Sequence, residues 1–188
     1  MDFRAVLGFL VRDFSAKNVR YAIMGGFAMG AWGIVRATMD LDFLIHRDDL
    51  PAADATLAAH GYRILHRTEN VSQFVSDLKP FGQVDFLHAF RPLSLGMLER
   101  ARPVSVFDAG FRIPVLAPED LIALKVQASS NDPSRKQSDM VDIALIGERF
   151  GSRLDWDRVM EFFALFGRGK ELEEIRRKYG SSEPRGNL

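Results

Sequence analysis

Residues 39–46 read MDLDFLIH, an apolar, strand-forming run that carries two carboxylates two positions apart. An unpaired carboxylate in an apolar interior is strongly disfavoured, or takes up a proton. The chain is therefore held to two solutions. Either this is a surface strand with incidental charge, or one end of the strand opens where a cation can enter. Side chains alternate along a strand, so Asp40 and Asp42 share a face while Leu41 and Phe43 take the other. Thr38 joins the acidic face if the strand begins early. A divalent cation relieves the repulsion between two such carboxylates, and oxygen-only donors favour magnesium or manganese over zinc or copper.

Upstream, RYAIM (residues 20–24) reads as a short strand that runs into Gly25-Gly26. Glycines at a strand-to-helix turn expose backbone N–H groups to an anion. Two known phosphate loops do not fit. The dinucleotide fingerprint needs glycine where Phe27 stands, and the P-loop needs a lysine that is absent between Gly25 and Ile45. The glycine pair alone leaves a tight turn and a phosphate grip equally open. A third embedded carboxylate, Asp85, sits in QVDFLHA. Alone it reads as an edge position or an ion pair. Together with Asp40, Asp42 and the glycine turn it makes a two-metal phosphoryl- or nucleotidyl-transfer centre chemically sensible.

The remaining pattern predicts an α+β fold, a mixed sheet flanked by helices, with a helical C-terminal portion. Phe3, Val6, Leu7, Leu10 and Phe14 recur at helical spacing over 2–17, and a small helix fits 26–33. Strands are expected at 20–24, 39–46, 62–66, 71–77, 83–89, 104–107 and 111–115, with a helix at 48–60. Helices are expected at 118–129, 134–149, 156–166 and 169–178, with Asp132-Pro133 as a start signal. The organisation follows: a core over 1–116, a helical portion packed on it over 117–179, and a disordered tail over 180–188.

Composition excludes several chemistries. There is no cysteine, hence no disulfide, thiolate metal site or cysteine nucleophile. The equal numbers of basic and acidic residues, 25 each, argue against a broad nucleic-acid-binding face. The charged N-terminus argues against a signal peptide or membrane span, so the expected setting is cytoplasmic, with no membrane partner. The four histidines show no metal-ligand spacing, and His88 reads as structural.

Gly25-Gly26, a spacer of thirteen residues and Asp40-Leu41-Asp42 together resemble the signature of the DNA-polymerase-beta-like nucleotidyltransferase superfamily. The longer string GGFAMGAWGIVRATMDLDFLI is similar to abortive-infection-type bacterial nucleotidyltransferases, in which Arg-x-Thr-x-Asp-x-Asp recurs. Arg36, Thr38, Asp40 and Asp42 match it. Further on, LAPEDLIALKVQA and DPSRKQSDMVDIALI resemble the same group through Glu119, Asp120, Lys125, Arg135, Asp139 and Asp142. The resemblance implies that Asp40, Asp42 and Asp85 are catalytic and bind Mg2+ or Mn2+. It implies that Gly25, Gly26, Arg36, Thr38, Lys125 and Asp139 serve a nucleoside triphosphate such as ATP. Lys125 would offset the triphosphate charge and Asp139 would orient Lys125 or the substrate, although Asp139 and Asp142 also sit where they could merely pair with Arg135 or Lys136. The activity implied is transfer of a nucleoside monophosphate to a hydroxyl, with release of pyrophosphate. The acceptor is left open between an RNA end, a small molecule and a protein. A non-catalytic binding module and a toxin–antitoxin component with an antitoxin partner are the alternatives.

Overall fold

A computed structural model describes residues 1–107 and 110–181. The chain divides into two compact units, Met1–Leu116 and Ala117–Leu188.

In the first unit, helix α1 (Phe3–Ala16) starts where the Asp2 carboxylate accepts from the Ala5 N–H at 3.0 Å. It buries the stripe Val6, Leu7, Leu10 and Phe14. Strand β1 (Tyr21–Met24) runs into α2 (Gly25–Ala31), and β2 (Asp40–His46) precedes α3 (Leu50–Ala59). Three strands then form an antiparallel meander: β3 (Tyr62–Arg67), β4 (Val71–Ser76) and β5 (Gln83–Ala89). Helix α4 (Pro92–Glu99) leads to the hairpin β6 (Arg102–Ser105) and β7 (Arg112–Val115). The described strands form one seven-stranded sheet in the order β3-β4-β5-β2-β1-β7-β6. Within it β2 is parallel to β5 and antiparallel to β1, and β7 runs parallel to β1.

One face of this sheet is an aromatic core. Phe43 and Phe86 are register partners on β2 and β5, with ring centroids 5.8 Å apart and edge-on. The Phe14 ring from α1 approaches them at 5.9 and 6.3 Å, and Phe74 on β4 lies 4.9 Å from Phe86. Each of these side chains is almost fully buried, worth roughly 2–3 kcal/mol apiece in area removed from water.

The structure corrects several expectations. The helix predicted over 48–60 begins instead as a 3-10 turn, Arg47–Asp49, and α3 starts at Leu50. The Asp49 carboxylate cannot cap a helix because Arg20 occupies it, through its backbone N–H at 2.8 Å and its guanidinium at 2.7 Å. Strand β6 lies earlier than the predicted 104–107, since Phe107 turns out of extended geometry with φ 61°. Helix α4 was not predicted at all. Its leucines and Met97 spread around the helix rather than forming a stripe, and only Met97 is buried. Its first turn is held instead by the Ser94 hydroxyl, which accepts from the Arg91 N–H at 3.2 Å.

The second unit is helical: α5 (Pro118–Asn131), α6 (Lys136–Phe150), α7 (Trp156–Leu165) and α8 (Gly169–Tyr179). Asp132-Pro133 starts a 3-10 turn, Pro133–Arg135, rather than α6 itself, with the Asp132 carboxylate accepting from the Ser134 N–H at 3.0 Å. Within this unit Asp120 is fully buried and pairs with Arg158, and the Glu119 carboxylate accepts from the Asp155 N–H at 3.1 Å. The tail predicted to be disordered lies, from residue 182, outside the described residues. Among the described residues no helix is long and apolar enough to cross a membrane.

His88 belongs to the aromatic face and serves structure. Its Nδ1 lies 2.8 Å from the Glu69 carbonyl, which can only accept, so Nδ1 carries the proton. Its Nε2 therefore accepts from the Ser72 hydroxyl at 2.8 Å, and Ser72 accepts in turn from Arg67 Nε at 2.8 Å. Burial lowers the imidazole pKa from 6.5, against the opposing Glu69 hydrogen bond, and Arg67 and Arg47 add to the fall. The folded state thus favours neutral His88. The stability this contributes is complete above 6.5 and is lost as pH falls through the lowered folded value. Urea midpoints should drop between about pH 7 and about pH 5, and the part of that slope due to this residue should vanish in His88→Gln.

Candidate active site

The alternation that sends Phe43 and Phe86 into the core sends Asp42 and Asp85 to the opposite face. Parallel pairing places Asp42 directly beside Asp85 and Asp40 beside Gln83. With Gln73 on β4 opposite Asp85 and Met24 on β1 opposite Asp42, one row crosses four strands: Gln73, Asp85, Asp42, Met24. Asp40, Asp42 and Asp85 each offer a carboxylate oxygen, and these oxygens lie within 4.8 Å of one another. All three residues are half-buried. The donor set is oxygen alone, anionic and convergent, and fits a hard divalent cation of the magnesium or manganese type.

Neutral partners hold Asp85 and Asp40 in place. The Gln83 amide donates to both Asp85 oxygens, at 2.9 and 3.1 Å, and the Gln73 amide reaches one of them at 3.4 Å. Burial pushes the Asp85 pKa up, the two glutamines oppose it, and the nearby Asp40 charge adds to the rise. Asp85 is therefore a stronger base than an ordinary aspartate. Asp40 accepts from the Thr38 hydroxyl at 2.9 Å. Thr38 lies just before β2 rather than within it, so it serves the acidic face from a loop. Gln73 and Gln83 were not among the predicted site residues. Alternation from Asp85 already points to Gln83, whereas Gln73 is found only through the β4–β5 register.

The glycine pair has a steric reason. Gly25 has φ +67°, and a Cβ there would lie 2.0 Å from Asp42 Oδ2 and 2.7 Å from its Cγ. A Cβ on Gly26 would lie 2.8 Å from both Cβ and Oγ1 of Thr38, and 3.5 Å from an Arg36 nitrogen. The turn after β1 thus lies against the residues that carry and position the carboxylates. Arg36 is exposed at this loop and donates to the neighbouring Ala37 carbonyl. Phe27, which follows the glycine pair, is half-buried.

A family model described as an uncharacterised nucleotidyltransferase matches residues 4–176. The chain belongs to this nucleotidyltransferase family. Its membership lies at the level of the polymerase-beta-like superfamily, without reaching the abortive-infection subtype. The solution structure of the antibiotic-resistance factor ANT(2'')-Ia is similar over 95% of this chain and 100% of that one, with TM-score 0.65 and 16% identity. An antigenic nucleotidyltransferase-like protein from Paracoccidioides brasiliensis is similar over 96% and 94%, with TM-score 0.58 and 18% identity. The lincosamide antibiotic adenylyltransferase LnuA, in its lincomycin-bound structure, is similar over 76% and 94%, with TM-score 0.52 and 14% identity. These likenesses show the fold. No curated protein matches the chain.

Two predicted site residues of this nucleotidyltransferase, Lys125 and Asp139, lie in the second unit and meet each other there. The Lys125 ammonium contacts Asp142 closely and Asp139 at 3.5 Å, and Arg135 Nε adds a contact to Asp139 at 3.3 Å. Side-chain exposure is 11% for Lys125 and 2% for Asp139, so this is a buried charge cluster rather than a solvated helix face. Lys136 pairs elsewhere, with Glu171 at 2.9 Å. Removing the cation would strand two buried carboxylates, and Lys125→Met should lower the urea-unfolding free energy by about 3–5 kcal/mol. At the glycine turn, Gly25→Ala should lower it by about 2 kcal/mol or more, through the positive φ and the overlap with Asp42. Combining it with Asp42→Ala, which removes the two nearest atoms, should recover part of that loss in a double-mutant cycle.

Proposed function

We propose that the protein transfers a nucleoside monophosphate from a nucleoside triphosphate to a hydroxyl acceptor. The observation that carries the reading is the convergence of Asp40, Asp42 and Asp85 beside the Gly25–Gly26 turn. Asp40 and Asp42, with Asp85, would hold magnesium or manganese. When bound, such ions supply positive charge against the triphosphate and the developing charge of an in-line displacement.

The chain's own groups divide the remaining work. Asp85 takes the proton of the acceptor hydroxyl as the new O–P bond forms at the α-phosphate. Gln83 and Gln73 keep its two oxygens oriented for that transfer. The bond from the α-phosphorus to the bridging oxygen breaks, and pyrophosphate leaves. Thr38 fixes Asp40 by its hydroxyl hydrogen bond. The Gly25–Gly26 backbone and the Arg36 guanidinium receive the phosphates.

A third carboxylate on the same face as the first two favours this reading over a non-catalytic module. The acceptor is a hydroxyl on an RNA end, a small molecule or a protein. The Arg36-x-Thr38-x-Asp40-x-Asp42 string supports, as a second reading, an abortive-infection-type enzyme paired with an antitoxin.

In a thermal-shift titration with magnesium and a nonhydrolysable triphosphate, wild type should gain stability that depends on the metal. Asp40→Asn and Asp42→Asn should lose that gain while remaining folded. Asp85→Asn should keep triphosphate binding yet lower pyrophosphate release by roughly a hundredfold or more. A wild-type protein that binds no triphosphate at any magnesium or manganese concentration would sink the proposal.

A further inference from the structure

The row that carries Asp42 and Asp85 does not end at Gln73. Beyond it, on the edge strand β3, Gln73 has His66 as its register partner. Paired residues on neighbouring strands share a face, so the imidazole stands on the Asp85 face of the sheet. One row along, Arg63 opposes Val75 and Val75 opposes Gln83, which puts Arg63 on that face as well. Strand spacing sets His66 about 10 Å from Asp85, with the Arg63 row about 7 Å further along the strands. Burial alternates on β4, where Ser72, Phe74 and Ser76 are buried and Val71, Gln73 and Val75 are not, so this part of the Asp85 face is partly open to solvent.

His66 reaches that face only through a bulge. Ile64 pairs with Phe74 and His66 with Gln73, so Leu65 is an extra residue in the register. Unbroken pairing would set Leu65 opposite Gln73 and turn His66 toward Ser72, on the aromatic face. The bulge thus exchanges an apolar side chain for a hydrogen-bonding one in the row of the carboxylates. Charges and bulges also protect an edge strand from pairing with another chain. Edge protection alone does not account for how the basic side chains of β3 are used. Arg67, on the aromatic side, is consumed: its guanidinium meets Asp54 at 2.7 Å and the Ser72 hydroxyl at 2.8 Å. On the Asp85 face the basic groups are left available. Among the described residues, Arg63 has only the exposed Asp77 at 3.5 Å, and His66 has no hydrogen-bond or ion-pair partner.

Charge selects the ligand. Strands β3 and β4 contain no acidic residue, so beyond Asp85 this face presents a guanidinium, an imidazole and the Gln73 amide. Such a set suits phosphate oxygens and repels a polycation. In the transfer reading the acceptor hydroxyl belongs at Asp85, and the triphosphate lies toward the other end of the row, by the Gly25–Gly26 turn. A phosphate held by β3 therefore belongs to the acceptor.

Resting on the nucleotidyl-transfer reading, we infer that His66 and Arg63 are specificity-determining residues that hold a phosphate of the acceptor, on the side of Asp85 remote from the triphosphate. The acceptor is a phosphate-bearing hydroxyl compound, either the end of a nucleic acid or a phosphorylated small molecule. The bulge at Leu65 is the device that brings His66 to it.

The test saturates the protein with magnesium and a nonhydrolysable triphosphate, which fills the donor site, and then titrates acceptors by calorimetry. The probes are a short single-stranded oligoribonucleotide, ribose 5-phosphate and ribose. Wild type should bind at least one phosphate-bearing probe roughly tenfold or more tightly than ribose. Arg63→Ala combined with His66→Ala should shrink that preference to within about twofold while triphosphate affinity stays within about twofold of wild type. His66→Arg, which keeps a cationic donor, should retain the preference and so excludes misfolding as the cause. A preference for the oligoribonucleotide alone identifies a nucleic-acid end, and an equal preference for ribose 5-phosphate identifies a phosphorylated small molecule. No preference over ribose in wild type, or a preference that survives the double variant, overturns the inference while the transfer reading stands. So does a fall in triphosphate affinity that matches the loss of acceptor binding. Wild type that binds no triphosphate with metal overturns both.

Discussion

The packing of Phe43 and Phe86 against Phe14 is the constraint on which the site depends. Phe43 and Phe86 occupy paired register positions of two parallel strands, and burying them against Phe14 leaves neither strand free to slip by one residue. A one-residue slip would carry Asp42 or Asp85 into the aromatic core, where a charged carboxylate is not tolerated. The hydrophobic face thus sets the registration of the acidic face. The stable half of each strand supports the half that remains electrostatically strained.

At Asp85 and Asp40 that strain is managed locally by neutral groups. Amides from Gln83 and Gln73 hold Asp85, and a hydroxyl from Thr38 holds Asp40. Amides and hydroxyls orient a carboxylate without neutralising it, so the acidic cluster keeps its attraction for a divalent cation. The second unit handles buried carboxylates in the opposite way. There Asp139 and Asp142 meet the Lys125 ammonium directly, and Asp120 meets Arg158. The contrast separates charge left available for a ligand from charge consumed in packing.

Much of this was legible in the residues because it rests on short-range periodicity. Alternation around Asp40–Asp42 and Asp85 placed each on the face opposite its phenylalanine neighbours, and β5 lies at the predicted 83–89. The helical stripe of Phe3 to Phe14 likewise marked α1. Where local pattern and local chemistry disagreed, the reading failed. Helix α4 has no apolar stripe and contains Gly96, and the helix predicted from 48 starts later, with Asp49 taken by Arg20 from β1's approach, twenty-nine positions away in sequence. Gln73 and the positive φ of Phe107 carried no sequence signal at all.

The sequence by itself determined which residues could meet a cation or an anion: two aspartates on one face, a third in a like setting, and a glycine pair upstream. It did so because the period of a strand is a local property of the chain. Only the tertiary structure decided that Asp85 stands beside Asp42, that Gly25 must be glycine because Asp42 presses against it, and that a bulge turns His66 onto the face of Asp85. Those facts depend on strand order and register, which are set by how the buried rings pack together rather than by any stretch of neighbouring residues.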